Sequence, residues 1–112
     1  MTYGNVLVAL ADPTRRTIFE RLRRRPHTVG ELADLIDVRQ PTVTQHLQVL
    51  RDARLVTHRR EGTRRYYRAS REGLAELREY VESLWEDVLV AYAGNDNAVP
   101  KTPRRASPRR IR

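Results

Sequence analysis

Thr42, Thr44, Gln45 and Gln48 are the side chains with the clearest chemistry in this chain. On a helical wheel of about 100° per residue, Leu47 and Leu50 fall within about 40° of Val43, while Pro41, Thr44, Gln45, Gln48 and Asp52 take the far side and Thr42 leans outward with them. That far side is built from short side chains that both donate and accept, in place of the Glu/Lys mixture of an ordinary solvated helix. Gln can pair bidentately with adenine through N6 and N7, and Thr offers a hydroxyl and a methyl to base edges, so these four residues are candidate base readers. Gln40 opens the same segment and is a further candidate DNA contact. Arg39, just before it, is a candidate phosphate contact, and His46, at the edge of the apolar side, reads as a satisfied boundary histidine or a phosphate contact in preference to a metal ligand.

A second group follows in Arg59, Arg60, Arg64 and Arg65, which flank Glu61-Gly62-Thr63. Guanidinium groups clustered at a turn can reach phosphates or a minor groove. Other chemistries lack their residues. The chain has no Cys, which excludes a disulfide framework, a thiolate metal site and a cysteine nucleophile. His27, His46 and His58 stand too far apart for i, i+3 or i, i+4 ligand pairs, so no metal and no cofactor is expected. No Gly-rich phosphate loop and no nucleophile beside a base supports catalysis, and the chain is read as no enzyme.

The charge is segregated. Among 112 residues, 22 Lys plus Arg against 14 Asp plus Glu give a formal net charge of +8, which points to a polyanionic partner. Residues 39 to 71 hold nine Arg and two acids, whereas residues 72 to 93 hold one Arg and six acids. Only the middle segment therefore suits a polyanion. Lys101 is the lone lysine, a bias that codon composition explains at least as well as phosphate recognition. The length allows one small domain, and the chain shows neither a secretory leader nor a run of roughly 18 apolar residues. A soluble, cytoplasmic protein without membrane contact is the expectation.

The elements that must position these residues are legible in order. Tyr3 to Leu10 is a short apolar stretch, and Asp12-Pro13 starts a helix with an acidic cap and proline in its first turn. Ile18, Phe19 and Leu22 form its buried stripe, and Arg23-Arg24-Arg25-Pro26 ends it. Thr28-Val29-Gly30-Glu31 fits a capping box for a third helix of about nine residues, with Leu32, Leu35 and Ile36 inward. Gln40 to Asp52 is the fourth helix. Residues 55 to 60 and 65 to 68 read as strands of a hairpin around a turn at 61 to 64. A long last helix from Arg71 to about Ala93 carries Leu74, Leu77, Val81, Leu84, Trp85 and Val88 on one stripe. It would run roughly 30 Å, more than so small a body needs for its own core. Leu77, Val81, Leu84, Trp85 and Val88, with Tyr3, Val6 and Leu7 of the first stretch, are the expected homodimer interface. Residues 94 to 112 form a basic Pro/Arg/Ser tail with little to bury, expected to be disordered and separate from a domain spanning 1 to 93.

The architecture is thus mostly α with a small β-hairpin, in the order of a winged helix-turn-helix with a long C-terminal dimerisation helix; the second helix of such a motif enters the major groove of double-stranded DNA. The chain resembles the ArsR/SmtB transcriptional repressors. The resemblance lies in Ala9-Leu10-Ala11-Asp12-Pro13-Thr14-Arg15-Arg16, Val29-Gly30-Glu31-Leu32-Ala33, Gln40-Pro41-Thr42-Val43-Thr44-Gln45-His46-Leu47 and Arg59-Arg60-Glu61-Gly62. It implies operator binding by the fourth helix and the wing, a two-fold dimer through the first and last helices, and release of DNA by an inducer whose identity the residues do not reveal. Many members sense metal through a Cys motif in the third helix or Asp and His on the last; neither is present, which implies the metal-independent branch. Arg39 stands where many members have a capping Ser, and Arg54 where many have Gly. A winged-helix module for protein or RNA is the alternative, since the fold by itself does not set the function.

Overall fold

The computed structural model describes the backbone of residues 2–93 and side chains from Asn5 onward; the tail expected over 94–112 and the side chain of Tyr3 lie outside the described residues. Among these the element order is α1 (Thr2–Ala11), α2 (Pro13–Arg24), α3 (Val29–Ile36), α4 (Gln40–Asp52), β1 (Val56–Glu61), β2 (Arg64–Ala69) and α5 (Arg71–Ala91). The chain divides into two compact units, Met1–Tyr80 and Val81–Arg112. The first holds the core. The described part of the second is the latter half of α5 and its closing turn.

Each helix boundary has a local cause. Asp12 caps α2 by accepting a hydrogen bond from the Arg15 backbone N–H at 2.9 Å, and Pro13 occupies the first turn, where its missing N–H costs nothing. Arg15 and Arg16 then reach back to the preceding helix. Arg15 donates to the carbonyls of Ala9 (2.8 Å) and Val8 (3.2 Å), and Arg16 to those of Leu10 (2.8 Å) and Ala11 (3.2 Å), so two cations satisfy the carbonyl end of α1. At α3 both halves of the capping box form, Thr28 Oγ1 accepting from the Glu31 N–H and Glu31 Oε1 from the Thr28 N–H, each at 3.1 Å. Asp37 ends α3 in the left-handed region at φ 57°, which a short polar side chain tolerates, and three residues later α4 begins.

The core of the first unit is closed by Val6, Ile18, Leu22, Leu32, Val43, Leu47, Leu50 and Leu55, drawn from α1 through the start of the hairpin. Leu74 and Leu77 of α5 pack against it. Two expectations change here. Val6 is completely buried in the protomer's own core, so its side chain is not available to a partner, because α1 lays that face against α2 and α4. Leu35 is 45% exposed; α3 buries Leu32 and Ala33 instead, which turns Leu35 to the rim.

Arg54 takes φ 62°, the left-handed conformation that costs a chiral residue roughly 1–2 kcal/mol. Its carbonyl accepts from the Gly73 N–H at 2.8 Å, and its guanidinium lies 3.3 Å from Glu76. A Cβ on Gly73 would sit 2.6 Å from the Ala53 carbonyl oxygen, so this close approach to α5 requires glycine.

Candidate nucleic-acid interface

α4 presents its polar face as the wheel requires. Val43, Leu47 and Leu50 are buried, while Gln40, Pro41, Thr42, Thr44, Gln45 and Gln48 are exposed. The side chains of Thr42, Thr44 and Gln45 make no hydrogen bond to any described residue, so their donors and acceptors are free for a ligand. Gln48 differs: its Nε2 donates to Asp52 Oδ1 at 2.9 Å, one turn along the helix. Arg39 is the N-cap of α4 and gives no side-chain cap, which leaves first-turn N–H groups open to an anion. Gln40 lies over Gly30, its Nε2 being 3.6 Å from where a Cβ there would stand.

His46 stands apart from this group. It is half-buried, and its Nδ1 lies 3.5 Å from the Arg15 guanidinium, so the ring bridges α4 to α2. Nothing in the sequence spacing signals that contact, because it joins residues 31 positions apart.

The hairpin is tighter than expected. β1 and β2 pair as far as Glu61↔Arg64, leaving Gly62-Thr63 as a two-residue turn. Gly62 has φ 66° and Thr63 is not in the positive region, the pattern of a II′ turn, whose twist suits the strands and demands glycine first. His27 adds a third strand position: its N–H donates to the Tyr67 carbonyl at 2.9 Å and its carbonyl accepts from the Tyr67 N–H at 2.8 Å. The His27 side chain is buried, with Nδ1 2.9 Å from the Arg25 carbonyl, so this histidine is a satisfied core residue.

Register separates the four wing arginines. Arg60 and Arg65 are direct partners on the face that carries Val56, His58 and Tyr67, whereas Arg59 and Arg64 alternate onto the opposite face with Glu61 and Tyr66. Arg64 and Arg65 nevertheless border the same groove as Thr44. Together with Thr28, Gly30, Glu31, Asp34 and Tyr67 these residues line one groove of about 590 Å³ between α4, the start of α3 and the wing. Of its two carboxylates, Glu31 is committed to its capping bond. His58 packs edge-on against Tyr67 with ring centroids 5.1 Å apart. Partial burial, reinforced by the charges of Arg51 and Arg65, holds its imidazolium below the ordinary range.

The expected partner residues of α5 fall into two sets. Leu77 is half-buried against the first unit's core. Val81, Leu84, Trp85 and Val88 in the second unit are each about half exposed, as is Leu7 on α1. No helix among the described residues is long and apolar enough to cross a membrane, and among them no three His, Cys, Asp or Glu side chains form a metal-holding group.

Residues 10–59 match the protein family described as a helix-turn-helix domain. The chain is 52% identical over 85 residues to the HTH-type transcriptional regulator Rv2034 of Mycobacterium tuberculosis, covering 76% of this chain and 79% of that one. It is 42% identical over 95 residues to the HTH-type transcriptional repressor SmtB of the same species, covering 83% of this chain and 63% of that one. Among solved structures, the homodimeric winged helix-turn-helix DNA-binding domain of Mb0332 from Mycobacterium bovis, a possible ArsR-family regulator, superposes with a TM-score of 0.62 at 32% identity, covering 77% of this chain and 80% of that one. Capped helices, the two-helix turn at 37–39, the hairpin wing and these likenesses agree: the chain belongs to the ArsR/SmtB family of winged helix-turn-helix transcriptional regulators.

Proposed function

We infer that this regulator is a non-catalytic homodimeric repressor that reads an inverted-repeat operator with α4 and the wing. One observation carries the reading: Thr44 of α4 and Arg64 and Arg65 of the wing line a single groove, beside a helix face whose Thr42, Thr44 and Gln45 side chains are unspent within the protein. Base-edge readers and phosphate-binding cations are thereby brought within one contact surface. Thr42, Thr44 and Gln45 read bases. Gln48 joins them by exchanging its bond to Asp52. Arg39, Gln40, Arg60, Arg64 and Arg65 hold phosphates, Arg59 does so from the other hairpin face, and His46 acts through its place beside Arg15.

Dimerisation is supported by the bare apolar stripe Val81, Leu84, Trp85 and Val88, which is costly to leave in water, and by the homodimeric state named for Mb0332. Leu7 on α1 is a separate exposed apolar side chain, on the first unit, that a partner can cover. Such a protein works on chromosomal DNA in the cytoplasm, and its release signal is not a metal ion, since Cys is absent and the three His lie on separate elements. Footprinting of the full chain on genomic fragments, with and without competitor RNA, tests the reading. A short protected inverted repeat that persists in RNA is expected; loss of protection to RNA would make this a module for another partner.

A further inference from the structure

The outward face of the wing carries a second basic recess, separate from the groove beside α4. Arg59 and Tyr66 are direct cross-strand partners there, and Arg68 follows two residues along the same face of β2. Arg25-Pro26, held beside β2 by the His27–Tyr67 bridge, closes the side. With Glu61 these residues line a recess of about 290 Å³.

Three guanidinium groups thus converge on a space that contains one carboxylate. The side chains of Arg59 and Arg68 make no hydrogen bond or ion pair with any described residue. Arg25 donates to the Pro26 carbonyl at 3.1 Å and stands 3.9 Å from Glu31, a distant and exposed pairing. Three like charges gathered beside one carboxylate repel, and an anion held between them removes that repulsion through charge-assisted hydrogen bonds. The rest of the lining is apolar and flat: the Pro26 ring and the half-buried Tyr66, whose hydroxyl has no described partner. Bare phosphate would use the cations and waste the aromatic lining. The volume lies at the small end of ligand pockets, which start at about 300 Å³.

We propose that the recess formed by Arg25, Pro26, Arg59, Tyr66 and Arg68 binds a small anion carrying a planar ring, such as a nucleoside monophosphate or an aromatic carboxylate, and that its occupation releases DNA. The ring lies against Tyr66 and Pro26 while the anionic group takes the guanidinium forks. Arg59 belongs to both the recess and the wing's phosphate contacts, so a bound anion and a DNA phosphate compete for it, and the coupling is reciprocal. This regulatory half rests on the DNA-binding reading; the binding half does not.

The test is calorimetric titration of the full chain, without DNA, by AMP, salicylate, adenosine and inorganic phosphate. AMP or salicylate should bind saturably at one site per chain, with phosphate and adenosine each about tenfold weaker or more, since each keeps half of the recognition. The exposed substitutions Arg25→Gln and Arg68→Gln should each weaken that binding by about tenfold at unchanged melting temperature. Whichever of AMP and salicylate binds more tightly identifies the anionic head. The assignment is overturned if neither binds wild type more tightly than the Arg25→Gln/Arg68→Gln double variant, or if inorganic phosphate binds as well as both. It is also overturned if that variant binds neither probe differently but lowers the operator salt slope by about 0.9 per residue, which would make the recess a track for duplex phosphates. In a second arm, the saturating probe should weaken operator binding by wild type and leave Arg68→Gln unaffected. Binding of the probe with operator affinity unchanged removes the regulatory half. A wild-type chain that protects no operator at all breaks the DNA-binding reading and leaves the calorimetric result standing.

Discussion

Arg60 and Arg65 face each other directly across the hairpin, two exposed cations in one cross-strand pair. Like charges so placed cost roughly 0.2–1 kcal/mol, a cost that a phosphate between them offsets. Arg65→Thr should therefore raise unfolding free energy by up to about 1 kcal/mol in a denaturant melt, while making the slope of log K against log salt about 0.9 shallower on operator and random duplex alike. An unchanged slope would take Arg65 off the DNA.

Gln45 and Gln48 should separate in strength. Gln45 is free, so Gln45→Ala should lose about 1–3 kcal/mol of discrimination at one base step in each half-site while binding to random duplex persists. Gln48 must first give up its bond to Asp52, so Gln48→Ala should lose less, and Asp52→Ala should strengthen rather than weaken the Gln48 contact. Titration of single-base operator variants measures all three.

Leu84→Glu places a charge on the apolar stripe of α5. Dimer and operator binding should fail together, because a desolvated unpaired carboxylate is strongly disfavoured at an interface. Sedimentation reports the mass and Trp85 fluorescence the change of environment. An intact dimer would move the interface off this stripe.

Gly73→Ala forces a Cβ to within 2.6 Å of the Ala53 carbonyl and 2.9 Å of the Arg54 carbonyl, and backbone cannot yield as a side chain would. Overpacking of this kind costs about 1–3 kcal/mol, more than the helix propensity that alanine adds. A lower melting temperature is expected. Equal stability would mean that the start of α5 shifts freely.

Two groups give stability its acid side. The Arg15 backbone N–H holds the Asp12 carboxyl below its usual 3.8, so this cap contributes fully above 3.8 and is lost as pH falls through the lowered folded value. Asp12→Asn keeps a capping oxygen and should flatten that limb. His58 acts at higher pH: burial, with Arg51 and Arg65, lowers its folded value below 6.5, so the unfolded chain takes up the proton first and stability declines as pH drops from 6.5. Melts of the wild type, Asp12→Asn and His58→Gln across pH should show each variant losing only its own limb.

The helix boundaries were readable because their causes are local. Asp12-Pro13, the Thr28 to Glu31 box and the missing cap at Arg39 each involve neighbours within a few residues, and each takes the expected form. The Gln48–Asp52 bond is also local, one helical turn apart, and was legible in principle. What escaped the sequence is tertiary. An apolar stretch does not say which of Val6 and Leu7 its own domain will claim, and only packing against α2 and α4 buries the first and exposes the second. The Arg15 contacts to Val8, Ala9 and His46 bring three elements together with no spacing rule to announce them. The division of the wing arginines between two faces followed only once Gly62-Thr63 fixed the register, since a shift of one residue would exchange the faces.

The most direct test of the central claim is selection of duplexes from a random library by the full chain, run beside the Thr44→Ala/Gln45→Ala double variant. The wild type should enrich an inverted repeat with half-site centres about 10 bp apart, or a multiple of that turn, and the double variant should enrich a relaxed version altered at matching positions in both half-sites. Enrichment of no sequence by the wild type, or of the same sequence by both proteins, would contradict base reading by α4.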